Sequence, residues 1–348
     1  MVQMAALFAV LVVGWHIPLP GLDLDNIPKR YSLLDSAPIL FSIFALGLLP
    51  FFTVLAYVEV AKLAIPPLAK WQGSSIRNAR RLAVIVFVLS LAVAAWHGFG
   101  ILLAMIAGGI VRPDAIAFVP VGLATFIGST ALLIWLADDF GPPDLGGGFW
   151  PLMAMMAIAG FPEQFSVLAN LFHVGQISER HLLVVVLSLV AGLALVAFAN
   201  ELLSRNVSAG GVAKTSILLW PSYLAGVVAG HAQVLLPSDL HDWPFVSVPF
   251  VEMAYVAIVT VLIPVFVFAY AGSFQPSKAK EPERWPLPVL LAVSAIQMAL
   301  NVGTWLLPIS LGIPPMASGG ELLVIGTVML ALVAASAHTP PSRASRRR

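Results

Sequence analysis

Ten apolar stretches, most of them about as long as a membrane-crossing helix, fill nearly the whole chain, and the charges are confined to the gaps between them. Runs such as Leu82–Ala107 and Met253–Tyr270 can cross roughly 30 Å of hydrocarbon as helices. Hydrocarbon offers no water to backbone N–H and C=O groups, so spans of this kind must satisfy them internally. Hydrophobic residues make up 59% of the sequence and charged residues 10%. The pattern predicts an all-α integral membrane protein with spans over 2–20, 38–63, 82–107, 115–137, 148–172, 182–203, 216–236, 249–270, 286–307 and 318–337. The fifth is expected to be short, tilted or broken, because its apolar part runs only from Phe149 to Phe161 before Pro162-Glu163.

Composition removes several function classes. The absence of cysteine excludes disulfides, thiolate metal sites and cysteine nucleophiles. The histidines (16, 97, 173, 181, 231, 241 and 338) show no His-x-x-x-His spacing around a carboxylate, and no P-loop, nucleophile elbow or dinucleotide fingerprint occurs in a useful context. No enzyme, cofactor or metal is therefore expected, and the segments between spans are too short for a soluble catalytic domain. A net charge of +1 gives no basic face for nucleic acid. The first stretch lacks a basic n-region and a small-residue cleavage site, and reads as a retained helix.

Lys and Arg distribute unevenly. Fourteen (Lys62, Lys70, Arg77, Arg80, Arg81, Arg205, Lys214, Lys278, Lys280, Arg284, Arg343 and Arg346–Arg348) fall on one side, and four (Lys29, Arg30, Arg112, Arg180) on the other. Basic loops stay in the cytoplasm, so ten spans put both termini there. The one acidic loop on that side, with Asp138, Asp139 and Asp144, carries little weight in this rule.

Three blocks carry more information. Gly14-Trp15-His16-Ile17-Pro18-Leu19-Pro20-Gly21-Leu22-Asp23 closes the first span; its prolines stop a helix. Ser42-Ile43-Phe44-Ala45-Leu46-Gly47-Leu48-Leu49-Pro50 opens the second, where Gly47 and Pro50 are expected to loosen the helical ladder. Trp135-Leu136-Ala137-Asp138-Asp139-Phe140-Gly141, followed by Gly146-Gly147-Gly148, leads into the fifth. Leu224–Val228 and Ser318–Val324 are weaker blocks further on. In this order the blocks resemble the SecY family of protein-conducting channels, whose patterns are I-P-x-P-G-x-D, S-I-F-A-L-G-I-x-P and W-L-G-E-x-I-T-x-x-G-I-G-N-G. Leu224–Val228 is similar to the start of the family's seventh helix and Ser318–Val324 to that of its tenth.

The resemblance implies ten helices in two pseudo-symmetric five-helix halves, 1–172 and 173–340, around a central pore, with 341–348 a basic cytoplasmic tail. It implies a translocase channel subunit in the bacterial inner membrane. Such a subunit passes unfolded polypeptide across the membrane or releases apolar segments into it, beside SecE-like and SecG-like subunits. The pore-ring positions fall on Leu48, Phe52, Met153, Val228, His231 and Val324. Bulky apolar side chains suit a seal that excludes ions yet deforms around a peptide. His231 departs from that chemistry: it is either satisfied by a neighbouring helix's carbonyl or by the face of Gln233, or it is a pH-sensitive group at the constriction. The lateral gate, between the second and seventh helices, falls on Glu59, Ala225 and Gly226. Glu59 either occupies the family's gate-glutamine position or pairs with Lys62 at the interface.

Departures from the family matter as well. The loops after the sixth and eighth helices are about a dozen residues each, and the second lacks the arginine-bearing tip. Weak or absent docking of ribosome or SecA is expected. The segment after the first helix leaves little chain for a plug. Asp138-Asp139 replaces the glutamate-rich pattern, and Gly147 stands where the family has asparagine. Three rivals follow: a specialised paralogue with its own delivery partner, an inert structural subunit, and a small-solute transporter using Glu252, Asn301 or Glu321 beside a broken helix.

Overall fold

The computed structural model describes residues 2–24, 40–139, 145–206, 211–234, 248–273, 285–313 and 316–337. These form α1 (Val2–His16), α2 (Leu49–Ala64), α3 (Pro66–Gly73), α4 (Ile76–Ala107), α5 (Phe118–Asp139), α6 (Phe149–His173), α7 (Glu179–Asn206), α8 (Gly211–Val234), α9 (Val248–Ser273), α10 (Leu287–Leu311) and α11 (Gly319–Ala337). Among the described residues the only β-pairing is two isolated bridges, Pro18–Ser42 and Leu22–Val111. The protein is an all-α, multi-pass membrane protein. Seven helices, α4 to α10, are long and apolar enough to cross a membrane. The pair α2–α3 makes an eighth if it counts as one span, although it bends by 107°. The apolar segments in α1 (Ala5–His16) and α11 (Gly319–Ala334) are shorter. The outward face of α4 exposes Val84, Ile85, Val88 and Leu89, as a bundle in lipid does.

Each of the ten expected spans contains a helix, and three differ in a way that physics explains. The first ends at His16 rather than 20, because Pro18 and Pro20 cannot continue its ladder. The second begins at Leu49 rather than 38, so Gly47 and Pro50 bound the helix instead of loosening it. Gly47 adopts φ +52, a left-handed conformation that costs glycine little. A Cβ there would also clash with the Met156 methyl. Residues before it form successive turns packed against the exit of α1, where Leu19 N–H donates to Phe41 O (2.9 Å) and Ile43 N–H to Ile17 O (3.0 Å). The fifth span is a continuous helix, 149–173, with Pro162 inside it. Proline there removes the bond to the Ile158 carbonyl, a cost of about 3 kcal/mol in an isolated helix. Packing of α6 against α1, α5 and α11 offsets it.

One apolar cluster holds buried side chains from α1, α2 and every helix from α4 to α11. A second joins Leu19, Leu22 and Leu46 to Leu102, Phe118 and Phe126, fastening the exit of α1 to α4 and α5. Within the C-terminal helices a set of polar side chains is paired across elements. Gln297 of α10, fully buried, donates from Nε2 to Ile217 O (2.9 Å) and accepts from Ser222 Oγ (3.0 Å). Asn301 Nδ2 donates to the same Ser222 Oγ (3.2 Å) and to Gln297 O (2.8 Å). Between helices in lipid such bonds fix register, since an unpaired polar group has no water to turn to.

Candidate functional site: an aromatic waist and a polar latch

Helix α2 packs against α8 and α9, and α6 packs against α11. Where α2, α6 and α8 converge, six aromatic side chains interlock. Phe52 of α2 stacks on Phe149 of α6 (6.3 Å between centroids) and meets Tyr223 of α8 edge-on (5.4 Å). Phe51 meets Phe149 edge-on at 5.6 Å. Trp150 contacts Phe149 (4.8 Å), Trp220 (5.0 Å) and Tyr223 (5.5 Å), and Phe149 stacks on Trp220 at 6.1 Å. Edge-to-face and offset-stacked rings at these separations attract one another through their quadrupoles. The sequence carried the signal as Phe149-Trp150 at the head of α6 and Trp220-Pro221-Ser222-Tyr223 within α8, but nothing in periodicity says that distant aromatics meet.

Of the positions taken from the motif alignment, Phe52 belongs to this waist. Leu48 and Val324 are fully buried in the large apolar cluster, and Phe52, Met153 and Val228 are half-buried against it. His231 stands apart. It is exposed, its Nδ1 lies 2.8 Å from the Val227 carbonyl one turn earlier, and its ring meets Tyr57 of α2 edge-on at 5.2 Å. The carbonyl therefore comes from its own helix rather than from a neighbour. Leu224–Val228 lies in the middle of α8, which begins at Gly211, rather than at a helix start.

Toward the other end of α2, Glu59 has two partners at once. It is ion-paired with Lys62 one turn on, and Tyr270 Oη of α9 donates to its Oε2 at 3.0 Å. The local pair and the cross-helix contact thus coexist, linking α2 to α9. Ala225 is fully buried, and a Cβ on Gly226 would lie 3.3 Å from the Tyr255 hydroxyl, so that face of α8 turns toward α9.

Two other groups singled out in the sequence lie together. Asn301 and Glu321 line a 420 Å³ cavity with Gln164, Tyr255 and Trp305. Glu321 also closes the start of α11: Ser318 N–H donates to its Oε2 (2.7 Å) while its own N–H donates to Ser318 Oγ (3.1 Å). This is the reciprocal capping of a Ser-x-x-Glu sequence. The Glu252 side chain, the segment 25–39 and the 341–348 tail lie outside the described residues. Among the described residues no group of His, Asp or Glu could hold a metal ion.

With this geometry, comparison with known proteins is informative. No family model matches the chain. Curated relatives do, over long stretches. The protein translocase subunit SecY of Aquifex aeolicus is 23% identical over 282 residues, 71% of this chain and 64% of that protein. SecY of Pseudomonas aeruginosa is 23% identical over 267 residues, 68% of this chain and 60% of that protein. SecY of Rickettsia typhi is 22% identical over 203 residues, 53% and 47%. Over most of its length the chain is thus similar to SecY proteins, at low identity. It spans less than two thirds of the length of the relatives it matches.

Proposed function

We propose that this chain is the channel-forming subunit of a protein translocase, passing unfolded polypeptide across the inner membrane or into it. Ten helices in two halves, 1–172 and 173–340, clasp a waist closed at rest by apolar and aromatic side chains, with both termini in the cytoplasm. The observation that carries the reading is that Phe52 of α2 is held between Phe149 of α6 and Tyr223 of α8, while Leu48, Met153, Val228 and Val324 belong to or pack on the same large apolar cluster. A narrow apolar constriction blocks ions by dewetting and parts around a chain. The packing of α2 on α8 and α9 supports a gate along that seam, with SecE-like and SecG-like subunits as partners outside it. The subunit itself has no catalytic role. A photoreactive residue placed at Phe52 or Met153 is expected to crosslink to a stalled secretory chain. Labelling only from lipid-facing Trp96 would overturn the reading.

The short connections, with α7 ending at Asn206 and α8 beginning at Gly211, favour a specialised member with its own delivery partner over one that docks ribosome or SecA. A second reading draws on the cavity shared by Asn301 and Glu321: a coupled transporter of a small solute. Proton- or sodium-driven uptake by vesicles, without crosslinking to a peptide, would select it.

The link between Glu59 and Tyr270 yields a direct expectation. Tyr270→Phe removes a bond to a charged group, worth about 1.5–3 kcal/mol, and loosens the α2–α9 seam. The chain has no cysteine, so a disulfide pair introduced across this seam reports on it without background. Its oxidation is expected to become slower and less complete in Tyr270→Phe as the helices part. An unchanged rate and yield would show that the bond does not hold the seam.

A further inference from the structure

The cavity that Asn301 and Glu321 share draws its wall from four helices. Gln164 comes from α6, Tyr255 from α9, Asn301 and Trp305 from α10, and Glu321 from the first turn of α11. Its 420 Å³ falls in the range of small-molecule sites, about 300–1,000 Å³. None of these five residues is exposed on the surface of the bundle.

The hydrogen-bond donors around the cavity are largely committed, and the acceptors are not. Thr260 and Thr304 turn their hydroxyls onto carbonyls one turn back, Val256 O and Leu300 O (both 2.7 Å). Asn301 uses its amide nitrogen on Ser222 Oγ and Gln297 O, which leaves Oδ1 without a partner among the described residues. Gln164 Oε1 is buried and accepts no hydrogen bond. Glu321 takes the Ser318 N–H on Oε2, but no cation pairs with it among the described residues.

An unpaired buried acceptor costs about 1–3 kcal/mol, and a carboxylate inside a membrane bundle marks a ligand or ion path. No Lys, Arg or His lines the cavity to answer that charge. Tyr255 and Trp305 bring aromatic rings, whose faces attract cations. Much of the remaining wall is apolar, through residues such as Val259, Val302, Ile309 and Met316. A primary ammonium has one positive charge and three N–H donors, which answers one carboxylate and two free amide oxygens. An anion would meet Glu321, and a neutral apolar molecule would leave all three acceptors unpaired.

We propose that this cavity binds a primary ammonium ion carried on an apolar body. Glu321 supplies the counter-charge, Gln164 Oε1 and Asn301 Oδ1 accept N–H groups, and the body lies against the aromatic and aliphatic wall. Such an occupant touches α6, α10 and α11 at once. The proposal concerns occupancy alone and holds whether the chain passes polypeptide or a solute.

The test is calorimetric titration of the full chain in neutral detergent at neutral pH, with empty micelles as the blank. The probe is phenethylammonium, compared with phenethyl alcohol, phenylpropionate and phenethyltrimethylammonium. The primary ammonium is expected to fill one saturable site about tenfold more tightly than the alcohol or the carboxylate, the equivalent of 1.4 kcal/mol. The trimethyl analogue keeps the charge but has no N–H, and should bind more weakly than the probe. Glu321→Gln retains a residue that can close the helix cap and removes the charge, so it should weaken the probe about tenfold. Gln164→Leu removes an unpaired acceptor, so the empty protein should be as stable as wild type or more so, while its affinity for the probe falls. Equal affinity for ammonium and alcohol, an unchanged affinity in Glu321→Gln, or wild-type uptake no greater than that of empty micelles would each overturn the proposal. Selectivity among the probes is read on the wild-type chain, so the answer does not depend on how a variant folds.

Discussion

Trp150→Ala is expected to destabilise the detergent-solubilised protein by about 3–5 kcal/mol, the range for an aromatic lost from a core, and, under the proposed function, to make reconstituted membranes leak ions. Trp150 is only 4% exposed and touches rings from two helices, Phe149 on its own and Trp220 and Tyr223 on α8. In a bilayer the driving force is close packing rather than escape from water, so the void left by the indole is not compensated by any gain in hydration. The rings that remain can fill it only by leaving their edge-to-face geometry. Thermal unfolding in detergent measures the first effect, and single-channel recording of reconstituted protein the second. Trp96, 78% exposed on the lipid side of α4, is the control: Trp96→Ala should change stability by no more than about 0.5 kcal/mol. Equal effects at the two sites would mean that the aromatic waist contributes no special packing. A destabilised variant without a leak would retain the packing argument and remove the seal.

Gly319→Ala should cost about 2–3 kcal/mol, toward the upper end for overpacking. A Cβ at Gly319 would stand 2.6 Å from Asn301 N, 2.7 Å from Asn301 Cα and 2.8 Å from Leu300 C. These are backbone atoms of α10, so no side chain can rotate away and the two helices must separate. Close approach at a small residue is how helices associate in lipid. The shift should also draw Asn301 from Ser222 and weaken the polar clasp between α8 and α10. Gly303→Ala on the same helix meets nothing within 4 Å and should be neutral or slightly stabilising, since alanine favours the helix by about 1 kcal/mol. Comparing the unfolding temperatures of the two variants isolates the contact from the propensity. Similar temperatures would mean that α10 and α11 are not held this closely.

The relation between motif and structure is uneven along the chain. The prolines at 18 and 20 ended α1 as their chemistry requires, and Ser318-x-x-Glu321 formed its capping box. The glycine at 47 was legible as a special position, but its role was not: it precedes the helix rather than softening it. Glu59 was legible as a charge needing a partner, and Lys62 as one partner by spacing. Tyr270, 211 residues away, was beyond any local rule.

Hydrophobic run length and the placement of charge therefore determined the class of this protein, because a lipid solvent leaves the backbone few alternatives. The same local information positioned helix ends wherever proline, glycine or a capping pair dictated them. Which helices touch was decided only by tertiary structure. Lipid-facing and buried positions are apolar alike, so the sequence cannot separate α2's contacts with α8 and α9 from its exposed face. The joining of Phe52, Phe149, Trp150, Trp220 and Tyr223 into one waist, and of Gln164, Asn301 and Glu321 into one cavity, depends on how rigid helices cross and bend in space.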